Sequence, residues 1–469
     1  MKENINVNIP NKNDIVELTV EDIGSDGEGI GKYQGYTLFI KDAVVGDVIQ
    51  AKVLKTKKTY GYAKVEKILV PSSHRVEPKC PIATKCGGCQ VQPLAYEKQL
   101  EFKENKVKNC LERIGGLKDI SIEPIIGMEE PYYYRNKAQF PVGLNKEGKV
   151  TIGFYASRTH SIIDSSHCYI QDKINIPILE TIRTFLEEYK ISIYNEEKHE
   201  GLVRHILTRV GFTTKEVMVC IIINGTKLPF IEQLVNQLKE TLNDYPEYHL
   251  KSVCLNVNKE KTNVILGTKI IPVFGQTFIT DMIGDIKYEI SPLSFFQVNP
   301  IQTKKLYELA LDYADLSGEE IVWDLYCGIG TISLFLAKKA KEVYGVEIVP
   351  EAIEDAKRNA EINNIKNAEF FVGAAEDVLP KKYKESNGSM RADVIVVDPP
   401  RKGCDQSLLD TVIAMEPKKV VYVSCDPATL ARDLKYMTEN GYEVEKVRPV
   451  DQFPHSTHVE TCVLLKIIR

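Results

Sequence analysis

Apolar positions along this chain change their period three times. In the first seventy residues they alternate with polar ones in short runs such as "IVELTVEDIG" and "YTLFIK", broken by the glycine-rich loop "SDGEGIGKYQG". Alternation at period two marks strands with one buried face, and several such strands between Gly and Asp turns predict a small antiparallel barrel. From Pro71 the texture becomes a loop rich in Cys, Pro and Gly, leading into a polar amphipathic helix that ends at Gly115-Gly116. Between residue 130 and about 290, strand-like runs such as "AQFPVGL", "VTIGFYA" and "VMVCIIING" indicate mixed α/β structure. From about Ser291 the alternation is regular: "EEIVWDLYC", "EVYGVEIV", "ADVIVVDPP" and "KVVYVSCDP" are each followed by a helical pattern. Nearly continuous Val/Ile strands separated by helices predict a parallel sheet covered on both faces. The expected division is 1–72, 73–290 and 291–469, with no internal repeat.

Composition fits this picture. A chain of 469 residues is too long for one core, and 43% hydrophobic with 27% charged residues is globular usage. No apolar run reaches membrane-spanning length and "MKENINVNIPNKND" lacks the apolar segment of a secretory signal, so a cytoplasmic protein without a membrane partner is expected. The net charge of −5 does not advertise nucleic-acid binding, so any such binding must rest on local patches. "AKVLKTKKTYGYAKVEK" (51–67) is basic with interleaved tyrosines, which suits either a solvated face or a groove with stacking aromatics. Eleven cysteines without an export signal do not suggest a disulfide framework. Most are scattered and suit small buried hydrophobes, whereas Cys80, Cys86 and Cys89 are clustered and Cys425 stands where a strand opens into a loop.

Candidate chemistry lies at the strand ends of the last third. In "VWDLYCGIGTISL", Asp324, Gly328 and Gly330 sit between a strand and a helix, and Glu347 ends the next strand. Ligands bind at the carboxyl ends of strands in such sheets, and a carboxylate after the second strand can accept from both hydroxyls of a ribose. Ser333 stands where a dinucleotide fingerprint has its third Gly, so a nicotinamide cofactor fits less well than S-adenosylmethionine, which brings no pyrophosphate. A structural Gly turn is the alternative.

Asp398 ends "VIVVDPP", and the prolines after it hold the strand tip extended. His455, His458 and Glu460 fall in "DQFPHSTHVETCVLL" as a last strand begins. Asp398, Cys425 and Glu460 thus mark three strand ends of one sheet. Carbon 5 of uracil is a poor nucleophile until a thiolate adds to carbon 6, and a base must later take the proton from carbon 5. Cys425 suits the thiolate and Glu460 the base, while Asp398 suits a hydrogen bond to the uracil edge. Taken singly, a Cys after a strand is more often a buried filler and a Glu in a terminal strand is usually an edge charge.

The pieces "SFFQVNP" (294–300), "DLYCGIGTISL", "GVEIV", "DPPRKG", "YVSCDPATLARDL" and "FPHSTHVETCVLL" occur together in one order. This set resembles the RNA uracil-5 methyltransferases that use S-adenosylmethionine. The resemblance implies a Rossmann-like class I methyltransferase domain, Cys425 as nucleophile and Glu460 as proton acceptor. It places Gln297, Tyr326, Glu347 and Asp398 at cofactor-binding positions, so Asp398 stands between a cofactor and a uracil role. Some members carry Asn where Thr331 stands, which leaves that contact open.

Residues 14–70 resemble the TRAM domain, an RNA-binding barrel of the OB-like kind. Cys80, Cys86 and Cys89 with Cys168 of "SSHCYIQ" match the four ligands of a 4Fe–4S cluster in ribosomal members of the family. Zinc on the same four sulfurs is the rival that spacing does not separate. A barrel together with four cysteines resembles the 23S ribosomal RNA type, acting as a monomer. The alternatives are uracil-5 methylation of transfer RNA, a non-catalytic RNA-binding assembly factor, and methylation of a small molecule or protein. A stacked uridine has to be extruded to react. Tyr132 to Tyr134 suit stacking on bases or a core position equally, Arg135 and Lys137 suit phosphates, and Arg158 and "RHILTRVG" (204–211) suit added positive charge in the same cleft.

Overall fold

The computed structural model describes residues 8–157 and 159–468. Arg158 therefore lies outside the described residues. The amino-terminal strands β1 (Ile15–Ile23), β2 (Gly29–Tyr33), β3 (Tyr36–Lys41), β4 (Val48–Thr56) and β5 (Tyr60–Val70) close into a barrel in the order β1-β2-β3-β5-β4. Period-two alternation sends Val16, Leu18, Val20, Leu38, Ile40, Ile49, Ala51 and Val53 inside. The expected all-antiparallel barrel differs at one seam: β3 and β5 run parallel. Five strands in a closed ring cannot all alternate in direction, so one parallel pair is a geometric necessity.

Helix α1 (Tyr96–Arg113) follows the cysteine-rich loop. It packs on the carboxyl-terminal domain, where its Val107 and Leu111 join the core of Trp323, Leu430 and Leu434. Beyond it, Ile122 and Ile126 bridge in parallel to Val447 and Val450 and widen that domain's sheet. The central sheet has the order β12-β11-β10-β9-β6-β7-β8. Its strands are β6 (Lys137–Leu144), β7 (Val150–Tyr155), β8 (Ile162–Asp164), β9 (Val203–Val210), β10 (Glu216–Ile223), β11 (His249–Val257) and β12 (Lys269–Gly275). Helices α2 (Asn175–Glu188) and α3 (Ile231–Asn243) bury Ile178, Ile182, Leu234 and Leu238 against it. The hairpin β13 (Ile279–Ile283) and β14 (Ile286–Ile290) leads into the last domain and packs in its core.

That domain has the sheet order β17-β16-β15-β18-β19-β21-β20. The strands β15 (Ile321–Leu325), β16 (Glu342–Glu347), β17 (Ala368–Val372), β18 (Val394–Val397) and β19 (Lys419–Ser424) are parallel. β21 (Glu460–Ile467) inserts antiparallel between β19 and β20 (Tyr442–Val450). Alternate residues feed two cores: Val322, Val396 and Val423 face α4 (Pro300–Ala314), α5 (Thr331–Leu336) and α6 (Pro350–Ile362). Trp323, Ile395 and Tyr422 face α7 (Ala375–Glu385), α8 (Gln406–Met415), α9 (Pro427–Glu439) and α1. The chain runs outward from β15 to β17 on one side and from β18 on the other, so the topological switch lies between β15 and β18. Ligands bind at the carboxyl ends of strands at such a point.

Candidate active site

A cavity of about 690 Å³ opens at that switch point. Its wall carries Gln297, Tyr326, Glu347, Asp398, Cys425 and Glu460, together with Asp324, Gly328 and Thr331. Cys425, Glu460, Gln297, Tyr326, Glu347 and Asp398 are thus brought to one place, whereas Gly330 and His455 do not line the cavity. Three left-handed residues turn the chain after β15: Tyr326 (φ 79°), Gly328 (φ 54°) and Gly330 (φ 82°). The amides of Tyr326 and Cys327 both donate to the Val346 carbonyl at 3.0 Å, which pins the turn to β16. Glu347 then accepts from Gly328 N at 3.3 Å and Val349 N at 3.0 Å, so its carboxylate is fixed at the cavity rim.

Ser333 earns its place by donating to Asp324 Oδ2 from within the core. The other oxygen, Asp324 Oδ1, has no partner among the described residues. Burial above all raises this carboxyl to about 7, against the pull of the Ser333 hydrogen bond. Thr331 lines the cavity while its hydroxyl accepts from Tyr307 Oη at 2.9 Å. Gln297 is held through its backbone, whose carbonyl accepts from Asn136 Nδ2 at 3.0 Å.

Cys425 follows the last residue of β19. Asp426 behind it is the N-cap of α9, accepting from Ala428 N at 2.9 Å and Thr429 N at 3.0 Å, with Pro427 at the first helical position. The Ser-Cys-Asp-Pro run is thus a strand end, a thiol and a helix start in four residues. Glu460 begins β21 and is buried, with Oε2 unpartnered among the described residues. Burial first, then Asp398, raises the Glu460 carboxyl, while Arg401 opposes the rise. Burial and then Asp324 raise Asp398. The Cys425 thiol is pushed up to about 12 by burial, Glu460 and Asp398, again against Arg401. Crowded carboxylates in a cavity of this kind favour a cationic ligand.

Between β20 and β21 the chain is clamped carbonyl by carbonyl. Gln452 O accepts from Asn299 Nδ2 at 3.0 Å, Phe453 O from Lys103 Nζ at 2.9 Å and Pro454 O from Tyr134 Oη at 3.1 Å. His455 O accepts from Val91 N at 3.1 Å, and Thr457 O from Lys106 Nζ at 2.9 Å. His455, at φ 67°, is buried against the Tyr132 ring with centroids 4.4 Å apart and does not line the cavity. His458 does, with Phe453 and Arg401. The sequence reading missed Arg401, Phe453 and the α1 clamp. The motifs "DPPRKG" and "DQFPHSTH" contain the first two, but only the fold shows which of their side chains face inward.

Cys80, Cys86, Cys89 and Cys168 line a second cavity of about 510 Å³. Burial raises all four thiols, Cys168 to about 11. Among the described residues no three His, Cys, Asp or Glu side chains are grouped so as to hold a metal ion. Gly87 and Gly88 border this cavity.

The tyrosine run divides three ways. Tyr134 is core, Tyr132 packs on His455 beneath Lys79, and Tyr133 at φ 53° joins His167 and Tyr169. Arg204 does not add charge to a cleft as expected: it is buried and donates to the carbonyls of Asn258 and Glu260. Arg209 is also buried and donates to the Ser294 carbonyl. Both guanidiniums are spent on backbone carbonyls of neighbouring turns. On the barrel, Phe39, Tyr60 and Tyr62 form an aromatic cluster with the Lys57 ammonium 4.9 Å from the Tyr60 ring centre. No described helix is long and apolar enough to cross a membrane.

Residues 95–468 match the family described as tRNA (Uracil-5-)-methyltransferase, and residues 11–65 match the TRAM domain. A Clostridium tetani protein named as an uncharacterized RNA methyltransferase is 50% identical over 465 residues, covering 99% of this chain and 98% of its own. One from Bacillus cereus with the same name is 50% identical over 454 residues, covering 97% of each. Among solved structures, the Pyrococcus abyssi tRNA (uracil-54, C5)-methyltransferase in complex with S-adenosyl-L-homocysteine has a TM-score of 0.77 at 31% identity, covering 96% of this chain and 99% of that one. The chain belongs to the RNA uracil-5-methyltransferase family, as an S-adenosylmethionine-dependent enzyme with an amino-terminal TRAM barrel.

Proposed function

We propose that the enzyme methylates carbon 5 of a specific uridine in 23S ribosomal RNA through a covalent bond between Cys425 and the base. The observation that carries this reading is the meeting of Cys425, Glu460 and Asp398 in one cavity with the cofactor residues. S-adenosylmethionine, when bound, supplies a methyl group on a positively charged sulfur. The fit is electrostatic: the cavity wall carries Asp324, Glu347, Glu376, Asp398, Asp405 and Glu460, and Asp324 Oδ1 is an acceptor without a partner among the described residues. Glu347, Tyr326, Gln297 and Asp398 hold the cofactor.

The Cys425 thiol loses its proton and its sulfur bonds to carbon 6 of the extruded uracil. The electron pair displaced toward carbon 5 then forms the new carbon–methyl bond. Glu460 removes the proton left on carbon 5, the ring double bond re-forms, and the bond from carbon 6 to sulfur breaks to release Cys425. The products are 5-methyluridine and the demethylated cofactor, with one proton released. Burial of Glu460 suits it to the base role, because a raised carboxyl accepts a proton readily near neutral pH.

We propose in addition that Cys80, Cys86, Cys89 and Cys168, which line one cavity, hold a 4Fe–4S cluster. Four thiols face one cavity, two side-chain-free glycines border it, and Arg135 sets a positive charge beside Cys89. The sulfurs on one tetrahedral zinc stand only about 3.8 Å apart, from Zn–S bonds of about 2.3 Å. A cluster spans more room and is held by four separated thiolates. Its role is to fold the loop 80–92, since methyl transfer moves no net electrons.

The family resemblance of the barrel with the cysteine set favours a ribosomal substrate, and we take the enzyme to be a cytoplasmic monomer. Transfer RNA is the second reading, favoured by the substrate in the name of the Pyrococcus abyssi relative. Incubation with cofactor and RNA containing 5-fluorouridine separates them. Fluorine cannot leave as a cation, so a Cys425 adduct forms on the true substrate. An adduct with transfer RNA but not with 23S fragments reassigns the substrate, and one that survives Cys425→Ala removes the nucleophile.

A further inference from the structure

Two cavities share a wall made by Arg401, Phe453 and His458. Outside the cysteine loop, the charged side chains that line them differ. The methyl-transfer cavity is rich in carboxylates, as a cationic cofactor requires. The neighbouring cavity carries Arg135, Lys137, Arg401, His167 and His458, and none of its described lining residues is Asp or Glu.

Lys137 is the unusual member. It stands on β6 opposite Arg209, a buried guanidinium, and close to Arg135. Among the described residues no carboxylate pairs with it, and burial with those two guanidiniums presses its ammonium down to about 7. Three cations held together without an acid are costly unless an anion joins them. Arg209 is taken up by the Ser294 carbonyl and Arg135 faces Cys89 of the proposed cluster, which leaves Lys137, with Arg401 on the same cavity wall, for another anion. Gln92 adds a buried donor: its Oε1 accepts from Cys80 N at 2.9 Å, and its Nε2 in the cavity wall has no partner among the described residues.

We propose that the part of this cavity bounded by Lys137, Arg401 and His458 binds a phosphodiester of the RNA strand beside the extruded uridine. The inference rests on the reading of the first cavity as a uridine site and adds where the backbone goes. A nucleotide whose base enters the acidic cavity must keep its phosphates away from the carboxylates, and a positive surface lies across the shared wall. The acidic and basic cavities then sort one nucleotide by charge, base to one side and backbone to the other.

The test measures equilibrium binding of the full chain, purified without oxygen and free of S-adenosylmethionine, to in vitro transcribed 23S ribosomal RNA and in parallel to unmodified transfer RNA, across a salt series. Lys137→Gln is expected to weaken binding several-fold and to flatten the plot of log affinity against log salt by about 0.7 to 0.9, one phosphate contact. Lys137→Arg should keep the wild-type slope, and Lys149→Gln, on the exposed β6–β7 turn, should change nothing. If Lys137→Gln does not fold, Arg401→Gln at the exposed rim is read the same way. An unchanged slope and affinity in the folded variant overturns the proposal. Methyl transfer is measured separately. A flattened slope without carbon-5 methylation refutes the uridine reading alone, and methylation with an unchanged slope refutes the phosphate site alone.

Discussion

Ser424 pairs with Thr461 across β19 and β21, so Cys425 and Glu460 stand at the same end of two antiparallel neighbours. The final strand runs against the parallel sheet, and this reversal brings its first residue to the carboxyl ends of β15, β16 and β18, where Tyr326, Glu347 and Asp398 stand. A parallel last strand would have put Glu460 at the opposite edge.

That proximity has a chemical consequence. Burial, Glu460 and Asp398 keep Cys425 protonated at neutral pH, so in the free enzyme its alkylation by iodoacetamide should be slow and should rise with pH to beyond 10. The sign follows from a raised thiol: the reactive thiolate gains population only as pH approaches about 12. Glu460→Gln removes the largest neighbouring charge and should speed alkylation at pH 8, on the order of tenfold for each unit the thiol falls. Peptide mass spectrometry reads the rate, and equal rates in both proteins would count against the electrostatic account.

The loop between β20 and β21 is anchored in part by one buried ion pair. Lys103 Nζ meets Asp451 Oδ1 at 2.5 Å with both side chains fully buried, and Asp451 also accepts from Tyr96 Oη at 2.7 Å. Lys103→Met leaves a buried carboxylate unpaired and should destabilise the protein by about 3 to 5 kcal/mol in chemical denaturation. The double variant Lys103→Met/Asp451→Asn should recover much of that loss. A single variant as stable as wild type would show that the pair does not hold the loop.

Asp426, next to Cys425, caps α9. Asp426→Ala removes two cap hydrogen bonds and should cost about 1 kcal/mol of stability. Methyl transfer should fall far less than in Cys425→Ala, and a loss equal to that variant's would assign Asp426 to the chemistry.

Much of the site was legible because its parts sit at strand ends flanked by glycine or proline, where local sequence betrays the geometry. Asp324, Glu347, Asp398 and Cys425 belong to that class. The rest depends on contacts distant in sequence. Helix α1 reads as a polar amphipathic helix, but its Gln99, Lys103 and Lys106 reach a loop some 350 positions later. Arg204 and Arg209 read as surface charge because an alternating strand pattern does not say which cation will cap a buried turn. Tyr132, Tyr133 and Tyr134 point three ways from one run, and the left-handed backbone at Tyr133 that separates them leaves no mark in composition.

Iron and sulfide content tests the cluster. Protein purified without oxygen should be brown and hold about four irons per chain for a 4Fe–4S cluster. Cys89→Ser should lose iron and loosen the loop that bonds His455 through Val91. Colourless wild-type protein with zinc instead would assign the four thiols to a single ion.

The central claim is a transient bond between Cys425 and a uracil, and trapping that bond tests it most directly. The holoenzyme, cofactor and 5-fluorouridine-containing 23S ribosomal RNA fragments should give a stable protein–RNA species. After nuclease digestion, mass spectrometry should place a methylated fluorouridine on the Cys425 peptide. Methylation of natural RNA at carbon 5 together with no trapped adduct, or an adduct at another residue, would contradict the account.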